Sequence, residues 1–225
     1  MRKSIFKFLT ISMLSLAVVS CKNNTEKPTS NEVTEAVNTT VAETPMPKAL
    51  VPEESSLKYM ANPQNTLIEW IGAKPTGKQH FGTIFLNSGE FTINDGKIDS
   101  GLFTINMSTI KDYDGSARLE GHLKSDDFFD VQNHPNAIFE VTGFKETDGK
   151  MLLSGNLEIK GKKNNVTFPV VLSEKDDIFT ITSEKFTIDR SKWNVKFKSK
   201  SFFSDLGDKF IYDDIELSFE VTANQ

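Results

Sequence analysis

The sequence predicts an all-β fold: eight to ten short antiparallel strands, closed as a barrel or stacked as a sandwich rather than arranged as α/β units. Three observations carry this. Apolar residues recur with a period of two across almost all of residues 57–225, the mark of half-buried strands. Asp95-Gly96 and Asp148-Gly149 each join two such runs, and two-residue Asp-Gly loops supply the positive φ angles that tight hairpins need. Only one stretch, residues 116–131, has helical spacing.

Taken in order, Phe103, Ile105 and Met107 alternate with Leu102, Thr104 and Asn106 on one strand. The helical stretch follows, with Leu119 and Leu123 four apart. It predicts one or two short helices, the second with Ser125 as N-cap and Asp126 and Asp127 in its first turn. A helix in an all-β chain covers or plugs a barrel end, and its apolar stripe is expected to be core. Leu153, Leu157 and Ile159 form the next inward face, and Val166, Phe168, Val170 and Leu172 another. Phe179 and Ile181 share one parity, Phe186 and Ile188 the other, which predicts a β-bulge near Ser183-Glu184. Trp193, Val195 and Phe197 alternate as a further strand, as do Ile215, Leu217, Phe219 and Val221.

The front end differs in kind. Arg2, Lys3 and Lys7 precede the apolar run Phe8–Val19, too short for the roughly 20 residues of a spanning helix. Positive flank, short apolar core and a small residue before the cut mark a secretory signal over residues 1–20. Cys21, the single cysteine, stands at the expected cut. Val18-Val19-Ser20-Cys21 resembles the lipobox of bacterial lipoproteins, in which the cysteine is acylated and becomes the mature N-terminus. The alternative is an ordinary signal with a chance Cys. Residues 21–56 then form a tether: Asn, Thr, Glu and Pro dominate, aromatics are absent, and too little apolar surface exists to offset ordering entropy. Fully extended it would reach on the order of 100 Å, at roughly 3.3 Å per residue. Residues 57–225 hold 16 of the 18 Phe and fit one domain.

Charge narrows the function classes. Losing the three signal cations takes the net charge from −5 to −8. An acidic chain without a basic block is a poor nucleic-acid binder and is not held electrostatically on anionic lipid. One Cys leaves no internal disulfide, so a hydrophobic core must supply stability.

Several motifs then stand together in order. His80-Phe81-Gly82-Thr83 opens a strand. Gly121-His122-Leu123-Lys124-Ser125-Asp126-Asp127-Phe128-Phe129-Asp130-Val131 precedes His134-Pro135-Asn136-Ala137-Ile138-Phe139. Gly155-Asn156-Leu157-Glu158-Ile159-Lys160-Gly161 and Phe186-Thr187-Ile188-Asp189-Arg190-Ser191-Lys192-Trp193 follow. This series resembles the YceI-like family of bacterial envelope proteins over nearly all of residues 57–225, with Asn106 where many members carry Asp and the tether as an addition. The resemblance implies an extended, antiparallel, lipocalin-like barrel that holds a polyisoprenoid chain, such as a quinone tail. An eight-stranded barrel either fills with its own side chains or holds one small ligand. A tail of roughly 40 carbons, at about 0.8 kcal/mol per methylene, would sum to about 30 kcal/mol, beyond the practical ceiling near 20, so much is lost to ordering the tail. By inward parity the candidate ligand contacts are Ile68, Phe91, Phe103, Ile105, Phe139, Val141, Leu157, Phe168 and Phe219.

Other chemistry finds little support in the residue pattern. His80, His122 and His134 do not stand at ligand spacing from one another, so no metal site is expected; turn, rim and hydrogen-bonding roles are. Asp126, Asp127 and Asp130 do not match a calcium loop and read as helix caps. Asp189 and Arg190 read as strand-end residues of a barrel-closing ion pair. No nucleophile elbow, catalytic triad or phosphate loop occurs, so no catalytic residue or catalytic cofactor is assigned. The expectation is an envelope lipoprotein, facing the periplasm or the surface, that carries an isoprenoid or other long-chain lipid. An interaction module with a self-packed barrel, and an enzyme acting on such a lipid, are the alternatives.

Overall fold

The computed structural model describes residues 56–225; the expected signal and Cys21 lie outside the described residues, as does the expected tether apart from Ser56. The strands are β1 (Leu57–Ala61), β2 (Leu67–Ala73), β3 (Gln79–Asn94), β4 (Lys97–Asp112), β5 (Asn136–Thr147), β6 (Lys150–Ile159), β7 (Lys162–Lys175), β8 (Ile178–Ser183), β9 (Phe186–Asp189) and β10 (Asp214–Asn224). One helix, α1 (Ala117–Lys124), interrupts them between β4 and β5. All pairings are antiparallel, and β10–β2–β3–β4–β5–β6–β7–β8 form a ring that closes where Glu220–Ala223 of β10 pair with Phe179–Thr182 of β8. The fold is therefore an eight-stranded, lipocalin-like barrel, the closed member of the barrel-or-sandwich pair. Among the described residues, closure leaves no long free edge to template aggregation.

Two ring positions are filled by broken strands. β1 and β2 both pair with β3 and with β10. β8 and β9 both pair with β10, and the register runs from Leu217↔Phe186 to Glu220↔Thr182. One extra residue thus lies on the β8–β9 side, the bulge that the parity slip predicts. The Ser183 hydroxyl accepts from the Phe219 backbone N–H at 2.9 Å there, replacing a ladder bond.

Both Asp-Gly hairpins are present, with φ of 47° and 70° at Asp95-Gly96 and 53° and 73° at Asp148-Gly149. Lys160-Gly161 and Asp176-Asp177 turn β6 into β7 and β7 into β8 in the same way, with positive φ at both positions. Their composition is a weaker turn signal, so the sequence does not announce them.

Three local expectations are corrected. Trp193, Val195 and Phe197 do not form a strand: Arg190–Trp193 is a 3₁₀ turn, and Asn194 follows at a left-handed φ of 62°. Asp189 caps that turn by accepting from the Ser191 N–H at 2.9 Å. The Trp193 indole donates to the Leu157 carbonyl at 2.8 Å, which anchors the turn to β6. Ser125 is not the N-cap of a second helix. It ends α1, its hydroxyl donating to the His122 carbonyl at 2.8 Å, and the chain then turns through Asp130 at φ 51°. Finally, Arg190 does not pair with its neighbour Asp189; its carboxylate partner is Asp213, 3.1 Å away.

One end of the barrel is packed solid. Tyr59 stacks on Phe91 at 5.4 Å between ring centres, and Phe179 lies against both. The Phe103 ring sits above them, 6.0 Å from Phe91. It can lie flat because Gly89 and Gly101 face it; a Cβ at either would press on the Phe103 ring. Gly155 makes the same allowance for the Phe139 ring.

Candidate ligand cavity

Above that aromatic floor the barrel is hollow. A cavity of about 800 Å³ runs up to the opposite end, inside the usual range of roughly 300–1,000 Å³ for small-molecule sites. The parity of each strand puts its apolar side chains there: Ile68 on β2, Ile105 on β4, Leu157 on β6, Phe168 on β7, Leu217 and Phe219 on β10. Phe168 forms the centre of one wall, 4.3 Å from Phe186 and 5.5 Å from both Phe139 and Phe219.

The mouth is polar. Lys74 and Lys78 reach it from the β2–β3 turn, Arg118 and His122 from α1, and Lys198 and Tyr212 from the long segment between β9 and β10. One carboxylate, Asp127, joins them. It lies 3.4 Å from His122 Nε2. The His122 ring stands edge-on to Phe128 and Phe197, at 5.3 and 4.5 Å.

Of the residues expected to meet a ligand, Ile68, Phe103, Ile105, Phe139, Leu157, Phe168 and Phe219 line the cavity. Phe91 and Val141 do not. Phe91 has the inward parity but lies beneath Phe103, 1% exposed, in the packed floor. Val141 packs beside Gly101 at the same level. Parity selects a face of a strand, not a depth in the barrel. Leu123 of α1 is buried in the core and Leu119 packs against it, as expected, and both also line the cavity, so the helix is part of its upper wall. Cys21 lies outside the described residues.

Arg190 also faces the cavity, although its guanidinium is 1% exposed and largely engaged by the protein itself. Nε donates to the Tyr212 carbonyl at 3.2 Å, Nη1 to Val195 at 2.7 Å and Nη2 to Ile211 at 3.2 Å. Asp213 Oδ1 gives an ionic contact at 3.1 Å without hydrogen-bond alignment, while its Oδ2 accepts from the Ser199 and Ser201 hydroxyls. Burial pulls the guanidinium below its ordinary pKa, and Asp213 and then Asp189 oppose that. Arg190 thus ties the segment after β9 to the start of β10 beside the mouth. Its carbonyl partners are 21 or more residues away in two of three bonds, which no local pattern signals.

His80 belongs to the upper barrel as well. It is half-buried, lines the cavity, and places Nδ1 3.6 Å from Asp112 Oδ1. His134 stays outside the cavity, 4.0 Å from Asp130 and against Gly161, in a turn role.

The sequence pattern of the YceI-like domain family matches residues 54–223. A UPF0312 protein of Azotobacter vinelandii is 32% identical over 96 residues, covering 42% of this chain and 48% of that protein. Another, from Photorhabdus laumondii, is 26% identical over 145 residues, covering 62% and 72%. The chain spans about half the length of the first curated relatives it matches. Among solved structures, Burkholderia cenocepacia BcnA superposes with a TM-score of 0.59 at 21% identity, covering 72% of this chain and 98% of that one. A polyisoprenoid binding domain from Saccharophagus degradans gives 0.54 at 11% identity, covering 74% and 97%. At these identities the two structures show a shared fold. With the motifs from His80 to Trp193, the hollow eight-stranded ring and a family match over most of its length, the chain belongs to the YceI-like domain family.

Proposed function

We propose that this chain is a lipid-binding lipoprotein of the bacterial cell envelope that sequesters or carries a polyisoprenoid or isoprenoid quinone inside its barrel. The observation that carries the proposal is the apolar cavity of about 800 Å³, open at a cationic mouth and closed below by stacked aromatics. At the ~30 Å³ that one water-sized group takes, it has room for on the order of 25 carbons. A tail nearer 40 carbons would extend out through the mouth. Burying about 25 methylenes at about 0.8 kcal/mol each gives some 20 kcal/mol before ordering costs, enough for tight binding without a polar anchor. Lys74, Lys78, Arg118 and Lys198 suit an electronegative head group there. The neighbouring polyisoprenoid binding domain from Saccharophagus degradans supports the ligand class. A self-packed interaction module would have no use for this volume, and binding rather than catalysis is the role that the apolar lining favours.

Native mass spectrometry of freshly purified protein tests this directly. A bound lipid mass is expected, lost on organic extraction and regained from the extract. Protein that is lipid-free as isolated and takes up no extracted lipid would leave the interaction module standing instead.

The envelope location rests on the signal-like N-terminus and Cys21. Cys21→Ser is expected to move the protein from the membrane fraction to the soluble fraction, because stable anchoring takes more than one acyl chain and no second cysteine exists. A mutant that stays in the pellet through a salt wash would refute lipid anchoring.

A further inference from the structure

Around Gly82, near the mouth, the barrel leaves three buried polar atoms without hydrogen-bond partners: Trp70 Nε1, His80 Nδ1 and Asp112 Oδ1, the last two 3.6 Å apart. Such atoms are rare in folded proteins and call for a physical reason. Strand register explains why they gather. Trp70 and Asp112 flank Gly82 on either side in the ladder, and His80 lies two residues along β3. The Tyr113 N–H donates to the Phe81 carbonyl at 2.9 Å, which continues the β3–β4 ladder one step past Asp112. A turn follows at once, the Gly115 N–H donating to the Asp112 carbonyl at 2.9 Å, and it brings the Asp114 carboxylate beside His80 and Asp112. Gly82 has to be glycine for this approach, since a Cβ would overlap the Lys111 carbonyl oxygen.

We propose that His80, Asp112 and Asp114 form a binding site for a divalent transition-metal ion of the zinc class. One imidazole nitrogen and two carboxylate oxygens, one from each residue, lie within 4.8 Å of one another. The His80 Nδ1 to Asp112 Oδ1 separation of 3.6 Å is too long for a hydrogen bond. It is close to the ~3.4 Å between two donors of one tetrahedral zinc ion with bonds of ~2.1 Å. The Asp112 carboxylate is fixed in place with one oxygen spare. Its side chain is 1% exposed, Oδ2 accepts from the Ser116 N–H at 3.2 Å, and only Oδ1 is left over. Asp114 is exposed, with a carboxylate oxygen already within 4.8 Å of the other two donors. The adjacent cation Lys111 does not neutralise the carboxylates, because it is paired with Glu120 at 3.0 Å. Mixed nitrogen and oxygen donors suit zinc and its first-row neighbours, whereas calcium takes six to eight oxygens. A water, or an oxygen of whatever occupies the cavity, completes the shell of four.

The test is a Zn²⁺ titration of the metal-stripped full-length chain, by calorimetry and by thermal melting. One ion per chain is expected at micromolar concentration, with a rise in melting temperature. His80→Gln and Asp114→Asn are each expected to weaken binding by roughly tenfold or more. Asp114→Asn decides the matter, because no hydrogen bond or ion pair of the Asp114 side chain occurs among the described residues, and its fold is expected to be unchanged. Asp112→Asn serves only if its circular dichroism matches wild type, since it also alters the Ser116 contact. Absence of binding would overturn the proposal and leave a bridging water between His80 and Asp112. Binding that survives in both His80→Gln and Asp114→Asn would assign the metal to other groups and overturn it equally. A Ca²⁺ response equal to that of Zn²⁺ would overturn the zinc-class assignment.

Discussion

Arg190→Ala is expected to lower the melting temperature of the delipidated protein by roughly 6–20 °C. Removing one partner of a buried ionic network costs about 3–5 kcal/mol, and a domain of this size shifts by about 2–4 °C per kcal/mol. The loss has a definite origin. Asp213 loses its cationic partner, and the Val195, Ile211 and Tyr212 carbonyls lose their donor together. Arg190→Lys is expected to recover only a minor part, because one ammonium cannot reproduce the fork that serves Nε, Nη1 and Nη2 separately. Thermal melts of the two variants against wild type are the check. A drop below about 2 °C in Arg190→Ala would mean that the desolvation cost of the guanidinium cancels its contacts, which buried pairs sometimes do.

The double substitution Ile105→Phe/Val166→Phe is expected to abolish most lipid binding while leaving the empty barrel folded. Ile105 and Val166 are half-buried and face the cavity from β4 and β7. Together the changes add seven carbons to the lumen and displace a comparable length of tail, worth about 0.8 kcal/mol per methylene. Even if half of that is recovered as the tail slides toward the mouth, affinity falls by roughly 100-fold, at 1.4 kcal/mol per tenfold. Phe91→Trp supplies the contrast. It overpacks the solid floor and is expected to cost about 1–3 kcal/mol while leaving the cavity volume alone. The paired readouts are lipid retained after purification and the melting temperature of delipidated protein. If the double variant destabilises the empty barrel as much as Phe91→Trp does, the lumen is packed in solution and the carrier role fails.

The same contrast separates two kinds of information in the chain. Phe91 and Phe103 have the same sequence signature, an aromatic at inward parity on a long strand. Only one lines the cavity. The difference comes from Gly89 and Gly101, which let Phe103 lie across the sheet and seal Phe91 beneath it. The glycines were visible in the sequence, but which ring would cover them depended on the stagger between β3 and β4. That register shifts at three places along the pair. Leu119 and Leu123 show the same limit: the helical stripe reads as core and belongs to it, but its spacing does not say that this part of the core also bounds a cavity.

The sequence by itself determined the features set by neighbours along the chain. Alternation with period two needs only the pleat, positive φ at Asp95-Gly96 and Asp148-Gly149 needs only the residues of the turn, and a phase slip at Ser183-Glu184 needs only one extra residue. The ordered motifs from His80 to Trp193 likewise placed the chain in its family. Tertiary structure decided what depends on partners far apart in sequence. The alternation of Trp193, Val195 and Phe197 was overruled because the indole of Trp193 found the Leu157 carbonyl 36 residues away. Arg190 took Asp213 rather than adjacent Asp189, since the β9–β10 pairing returns the chain to its side while Asp189 turns back to cap Ser191. His80 and Asp112 became neighbours through the β3–β4 ladder, and the turn after β4 brought Asp114 to them. Local periodicity fixes which face a side chain takes; only ring closure and register fix its depth and its company.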